Sequence, residues 1–179
     1  IYDLYCKTDD GSKIIVEVQQ EQQDDYVDRT LYYTTFAIQN QIERGTEDYT
    51  ICPIYSVSIL NKGLRELKGT QDVLSIFRIK GLAQDIVLSS KYTLIFIELN
   101  KFNKTLGQIA KDNILERFYY CLKHMAYLSE RPLVLQQEIF TKLFEAAQVA
   151  EMPEEEQIEY FAQMITERDR KSQLKTATR

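Results

Sequence analysis

Asp3-Leu4-Tyr5-Cys6-Lys7-Thr8-Asp9-Asp10-Gly11-Ser12-Lys13-Ile14-Ile15-Val16-Glu17-Val18-Gln19 is the stretch on which the fold reading turns. β-Forming residues fill both flanks, and Asp9-Asp10-Gly11-Ser12 between them is a turn sequence, so the segment predicts a β-hairpin. The loop length decides the register. A two-residue loop at Asp10-Gly11 would set Asp3 opposite Val18 and leave Glu17 on the other face. A three-residue loop, Asp9-Asp10-Gly11, uses a type I turn followed by Gly11 in the left-handed region, where glycine carries no Cβ penalty. Thr8 then faces Ser12, and Asp3 lies directly opposite Glu17 with Cβ atoms about 5 Å apart. Strand alternation puts Gln19 on the same face.

Like charges directly opposed destabilise a sheet, so something is expected to offset them. A divalent cation does this, since Mg²⁺ is commonly held by one or two carboxylates with waters and phosphate oxygens. Such an ion activates water and stabilises charge on a phosphate under attack. The competing reading is a solvated face on which both acids pair with Lys or Arg.

Outward from the hairpin, the pattern becomes helical from about Asp24 to Arg44. Val27, Leu31, Ile38 and Ile42 recur at helix spacing, Asp24 or Asp25 caps the start, and Gly45 can end the helix. Strands are expected at 53–60, which alternates apolar and small polar residues, at 72–80, and at 92–99, whose apolar run predicts a central strand. Helices follow. Ile114, Leu115, Phe118, Leu122 and Met125 form one stripe, and Leu135, Ile139, Leu143 and Ala147 another. A third helix is expected from Pro153, with Glu154, Glu155 and Glu156 in its first turn and Ile158, Phe161 and Ile165 on its apolar face. The tail after Arg168 is polar and aperiodic. The order predicts an α/β fold, a mixed β-sheet with flanking helices plus a C-terminal helical extension.

The 179 residues, 44% hydrophobic, suffice for one ordinary core. No apolar run approaches the roughly 18 residues that span a bilayer, so no membrane partner is expected. No signal-peptide pattern opens the chain, and Ile rather than Met stands first, so the natural N-terminus is expected to be missing. Cys6, Cys52 and Cys121 are odd in number and unpaired in spacing, as in reduced cytoplasmic thiols. A single histidine, His124, and three cysteines in no CxxC pairing argue against zinc. The net charge of −5 counts against a broadly basic nucleic-acid surface.

Ile1-Tyr2-Asp3-Leu4, Val16-Glu17-Val18-Gln19 and Asp28-Arg29-Thr30-Leu31-Tyr32-Tyr33 together resemble the PD-(D/E)XK nuclease family transposases, also called recombination-promoting nucleases. Pro53-Ile54-Tyr55-Ser56-Val57-Ser58-Ile59-Leu60-Asn61 and Phe96-Ile97-Glu98-Leu99-Asn100-Lys101-Phe102 extend the likeness over roughly residues 1–130. The resemblance implies a restriction-endonuclease-like core over 1–103, lacking an upstream helix and strand, with a helical region over 104–179 packed on it. It implies a metal-dependent DNA endonuclease in which Asp3 and Glu17 hold Mg²⁺ or Mn²⁺. Gln19 stands where the wider superfamily usually has Lys, and it can orient water but brings no charge. Arg29 is read as a phosphate contact or as a salt-bridge partner of Glu17 or Asp25. Tyr32 either shapes the DNA groove or packs on the sheet, and Lys101 is either a DNA contact or a solvated loop residue. The alternative is a degenerate module that holds DNA or protein without cutting. The apolar helical stripes permit a homodimer.

Overall fold

The computed structural model describes residues 3–42, 45, 48–110, 112–128 and 131–151. The helix expected from Pro153, with Glu154–Glu156, Ile158, Phe161 and Ile165, and the tail from Arg168 lie outside the described residues. Two compact units divide the chain between Thr105 and Leu106.

The first unit is built on a mixed five-stranded sheet in the order β1-β2-β3-β5-β4. Its strands are β1 (Leu4–Lys7), β2 (Lys13–Gln19), β3 (Ile54–Leu60), β4 (Leu74–Lys80) and β5 (Val87–Glu98). β1 and β2 form the antiparallel hairpin, β2, β3 and β5 run parallel, and β4 returns antiparallel along β5. The parallel pairing of β2 with β3 requires a crossover, which helix α1 (Tyr26–Gln39) supplies. The apolar 92–99 run is the interior end of β5, which begins earlier than expected, at Val87.

α1 does not bury the stripe read from the sequence. Val27 and Ile38 pack at the margins of the core, but Leu31 is 41% exposed. The buried face is Tyr26, Thr30, Thr34 and Ala37. Threonine is buried here because its hydroxyl is satisfied within the helix: Thr30 donates to Tyr26 O at 2.9 Å, and Thr34 donates to Leu31 O at 2.8 Å. Opposite this face, β3 buries Ser56 and Ser58 between Ile54 and Leu60. Small residues at the centre of both surfaces allow helix and sheet to approach closely. The flanking apolar groups form one cluster of Tyr26, Leu60, Leu64, Leu67, Leu94 and Phe96 and another of Ile15, Ala37 and Ile54.

The second unit contains α2 (Ile114–His124) and α3 (Glu138–Glu151), joined through short 3₁₀ turns. Asn113 caps α2 by accepting from Glu116 N at 3.1 Å. The core of this unit is Cys121, Leu135 and Phe140, surrounded by residues including Phe118, Met125 and Leu143. Ile114, Leu115 and Ile139 are exposed instead of inward. Leu135 lies in a 3₁₀ turn before α3 rather than on the helix, so the second stripe spans a break in the backbone and its phase shifts to Phe140. Among the described residues, no helix is long and apolar enough to cross a membrane.

Candidate active site

The hairpin turn sets the site's geometry. Thr8 N donates to Ser12 O at 2.9 Å, and Gly11 N donates to Thr8 O at 3.0 Å. Gly11 has φ +83°, so the loop is the three-residue one. Asp10 fastens it, accepting from Ser12 N at 3.0 Å and from the Thr8 and Ser12 hydroxyls. These hydrogen bonds, Thr8's the strongest, hold the Asp10 carboxyl below its ordinary value.

The ladder then runs Lys7 to Lys13, Cys6 to Ile14, Tyr5 to Ile15 and Leu4 to Val16. One further step brings Asp3 opposite Glu17. Asp3 Oδ2 accepts from Val18 N at 2.7 Å, which ties the two strand ends together. Glu17 in turn pairs in register with Ser58 of β3. Asp3 is exposed and Glu17 half-buried, and Glu17 Oε1 is shut away from solvent with no hydrogen-bond partner among the described residues. Burial pushes the Glu17 carboxyl above the ordinary glutamate value, the Asp3 charge pushes it further, and Arg29 opposes both.

Arg29 reaches this face from α1. It donates to Gln19 Oε1 at 2.8 Å and to Gln23 Oε1 at 2.7 Å, and its guanidinium lies 5.0 Å from the centre of the Tyr26 ring. Neither expected acid partner, Glu17 nor Asp25, takes it as a salt bridge. The Gln19 amide is engaged at both ends, since its Nε2 donates to Glu21 O at 2.8 Å. Asp25 stands at the α1 N-terminus without a side-chain capping bond, and Asp24 pairs with Arg65 at 2.6 Å.

Two site residues were not singled out in the sequence. Tyr26 and Ser58 are both buried, and neither hydroxyl has a hydrogen bond of ordinary geometry among the described residues. Burial raises the Tyr26 hydroxyl's pKa; the nearby Ser58 hydroxyl opposes that shift and the Glu17 charge adds to it. The small-polar alternation of β3 is the feature that could have pointed to Ser58.

The other two expected DNA contacts lie apart from this group. Tyr32 is 60% exposed on the outer side of α1, where its ring meets Phe36 edge-on at 5.1 Å rather than packing on the sheet. The Lys101 ammonium is turned into the protein. It donates to Glu98 Oε2 at 2.5 Å, to Leu67 O at 2.8 Å and to Thr70 Oγ1 at 3.0 Å. The side chains of Lys101 and Glu98 are 12% and 1% exposed, so Lys101 is neither a solvated loop residue nor a free phosphate contact. Glu98 is not a polar strand end but the buried partner of this pair, and its Oε1 accepts from Leu64 N at 2.9 Å.

Among the described residues no group of three or more His, Cys, Asp or Glu converges. The Asp3–Glu17 pair, with an orphaned buried carboxylate oxygen and a repulsion that Arg29 offsets only in part, suits a hard cation that takes two carboxylates and fills its remaining positions with water or phosphate oxygens.

A family model described as PD-(D/E)XK nuclease family transposase matches residues 1–177. No curated protein and no solved structure gives a significant match.

Proposed function

The chain belongs to the PD-(D/E)XK nuclease family transposases, and from that membership and the opposed carboxylates we propose a metal-dependent DNA endonuclease that hydrolyses phosphodiester bonds at Asp3 and Glu17. The observation that carries this reading is the orphaned Glu17 Oε1 opposite Asp3. Residues 1–103 serve as the nuclease core, with 104–179 as an extension to it. Asp3 and Glu17 hold Mg²⁺ or Mn²⁺. When bound, such an ion polarises the phosphate and lowers the pKa of a bound water.

The chain's own residues supply the rest. Asp3 is fixed through Val18 N, so its free oxygen is aimed without a search through rotamers. Arg29 brings the positive charge that Gln19 lacks, and its bond to Gln19 Oε1 fixes that amide beside the carboxylates. From there the guanidinium is placed to meet a DNA phosphate, with Tyr32 further out along α1 for the groove. Lys101 is left out of the DNA-contacting set because its donors are spent inside the fold. The three free cysteines accord with a reducing, cytoplasmic setting.

Plasmid cleavage with Mg²⁺ tests the assignment. Asp3→Ala and Glu17→Ala are expected to abolish cutting; variants that cut as well as the parent would remove these residues from the site. A second reading, a DNA-holding protein without cleavage, is favoured by one observation: both ends of the Gln19 amide are already engaged. Retained DNA binding, with no cleavage in any divalent ion, would select it.

A further inference from the structure

In the second unit, Arg117 of α2 is 7% exposed, and its Nε–H has no hydrogen-bond partner among the described residues. A guanidinium keeps its charge at any physiological pH. Buried charges are ordinarily paired, because an unpaired one loses its hydration without recompense. Glu116 Oε2 accepts from Ala110 N, and Glu138 is exposed and paired with Lys142 at 2.8 Å. The Arg117 guanidinium lies 5.8 Å from the centre of the Phe140 ring.

Arg117 lines a cavity of about 460 Å³ with Leu133, Val134, Gln136 and Gln137. That volume falls within the range of small-ligand clefts, roughly 300–1,000 Å³. A second feature faces the same place. Gln137 O accepts from Phe140 N and Thr141 N and so begins α3, leaving the N–H groups of Glu138 and Ile139 without helical acceptors. A helix N-terminus and a buried guanidinium with an orphaned Nε–H favour the same kind of guest, and the two glutamines add neutral donors that do not repel it.

We propose that this cavity binds a phosphate group, with Arg117 as its counter-charge and the start of α3 and Gln136 as hydrogen-bond donors. The phosphate chemistry stands apart from cleavage at Asp3 and Glu17; only its source in a DNA backbone rests on the proposed function.

The test is thermal melting of the full chain in inorganic phosphate against chloride at equal ionic strength. Phosphate is expected to raise the melting temperature of the parent and to leave Arg117→Gln unmoved. Equal responses in the two proteins, or no response in the parent, overturn the proposal. Should Arg117→Gln fail to fold, Gln136→Glu changes an exposed wall residue and sets a competing carboxylate toward Arg117. Loss of the phosphate response in that variant supports the site, and an unchanged response overturns it. DNA titrations identify the source. For a backbone phosphate, the slope of log Kd against log salt falls by about one in Arg117→Gln. A lost phosphate response with an unchanged slope assigns the cavity to a free phosphate ester. Glu17→Gln is expected to keep the phosphate response, so this site and the nuclease site fail separately.

Discussion

The sheet holds two acids in contrasting states. Glu98, at the end of β5, is buried with both oxygens satisfied, one by Leu64 N and one by Lys101. Glu17, near the end of β2, is half-buried, faces another carboxylate and has an oxygen with no partner among the described residues. Glu98 belongs to the architecture: with Lys101 it ties Leu64, Leu67 and Thr70 to the end of the sheet. Glu17 stores an unfavourable interaction that Arg29 relieves only in part. A buried polar group left unmatched marks the place where a ligand is expected, and a matched one marks a brace.

Substitutions should affect the two acids in opposite directions. The largest effect is expected at Lys101→Met, which strands Glu98 as a buried unpaired charge at a cost of about 3–5 kcal/mol, read from urea unfolding. Gly63→Ala strains the same brace, because its Cβ would lie 2.7 Å from Glu98 Oε1 and 3.0 Å from Asn100 Nδ2. A loss of roughly 1–3 kcal/mol is expected there. If Lys101→Met were neutral, the brace would carry no stability and the contrast would collapse.

A smaller effect, of the other sign, is expected at Glu17→Gln in metal-free protein. Removing one of two opposed charges should stabilise the fold at neutral pH by up to about 1 kcal/mol. The pH dependence agrees. The folded Glu17 pKa is raised, so folding favours its protonated form. That contribution is fully present below the unfolded glutamate pKa and is lost as pH rises through the folded value. The parent is therefore expected to lose stability over that interval, and Glu17→Gln is expected to lack that loss in parallel melting curves. A parent whose stability rises with pH there, relative to Glu17→Gln, would place Glu17 in the same matched class as Glu98.

This contrast was half legible in the sequence. Asp9-Asp10-Gly11 carries its own turn chemistry, and a three-residue loop fixes the pairing of Asp3 with Glu17 through local rules alone. The partner of Glu98 was not legible. Lys101 reads as a loop residue just past a strand, and only tertiary folding shows that the chain around Leu67 and Thr70 closes over its ammonium. The buried face of α1 was misread for a related reason. Hydropathy favours Leu31 over Thr30 and Thr34, but it does not register that a helical threonine can satisfy its own hydroxyl. Tyr26 and Ser58 escaped notice because their burial depends on α1 packing against β3. The family words around Arg29 fall on α1, and the structure adds that Arg29 reaches Gln19 rather than an acid.

Calorimetric titration of the full chain with Mn²⁺ tests the central claim most directly. The parent is expected to bind through the Asp3–Glu17 pair, and Asp3→Asn and Glu17→Gln are each expected to weaken that binding by roughly tenfold or more, a loss at least comparable to that seen on removing even an outer-layer support of a metal site. Equal Mn²⁺ affinity in the parent and both variants would contradict the claim and leave the opposed carboxylates without a role.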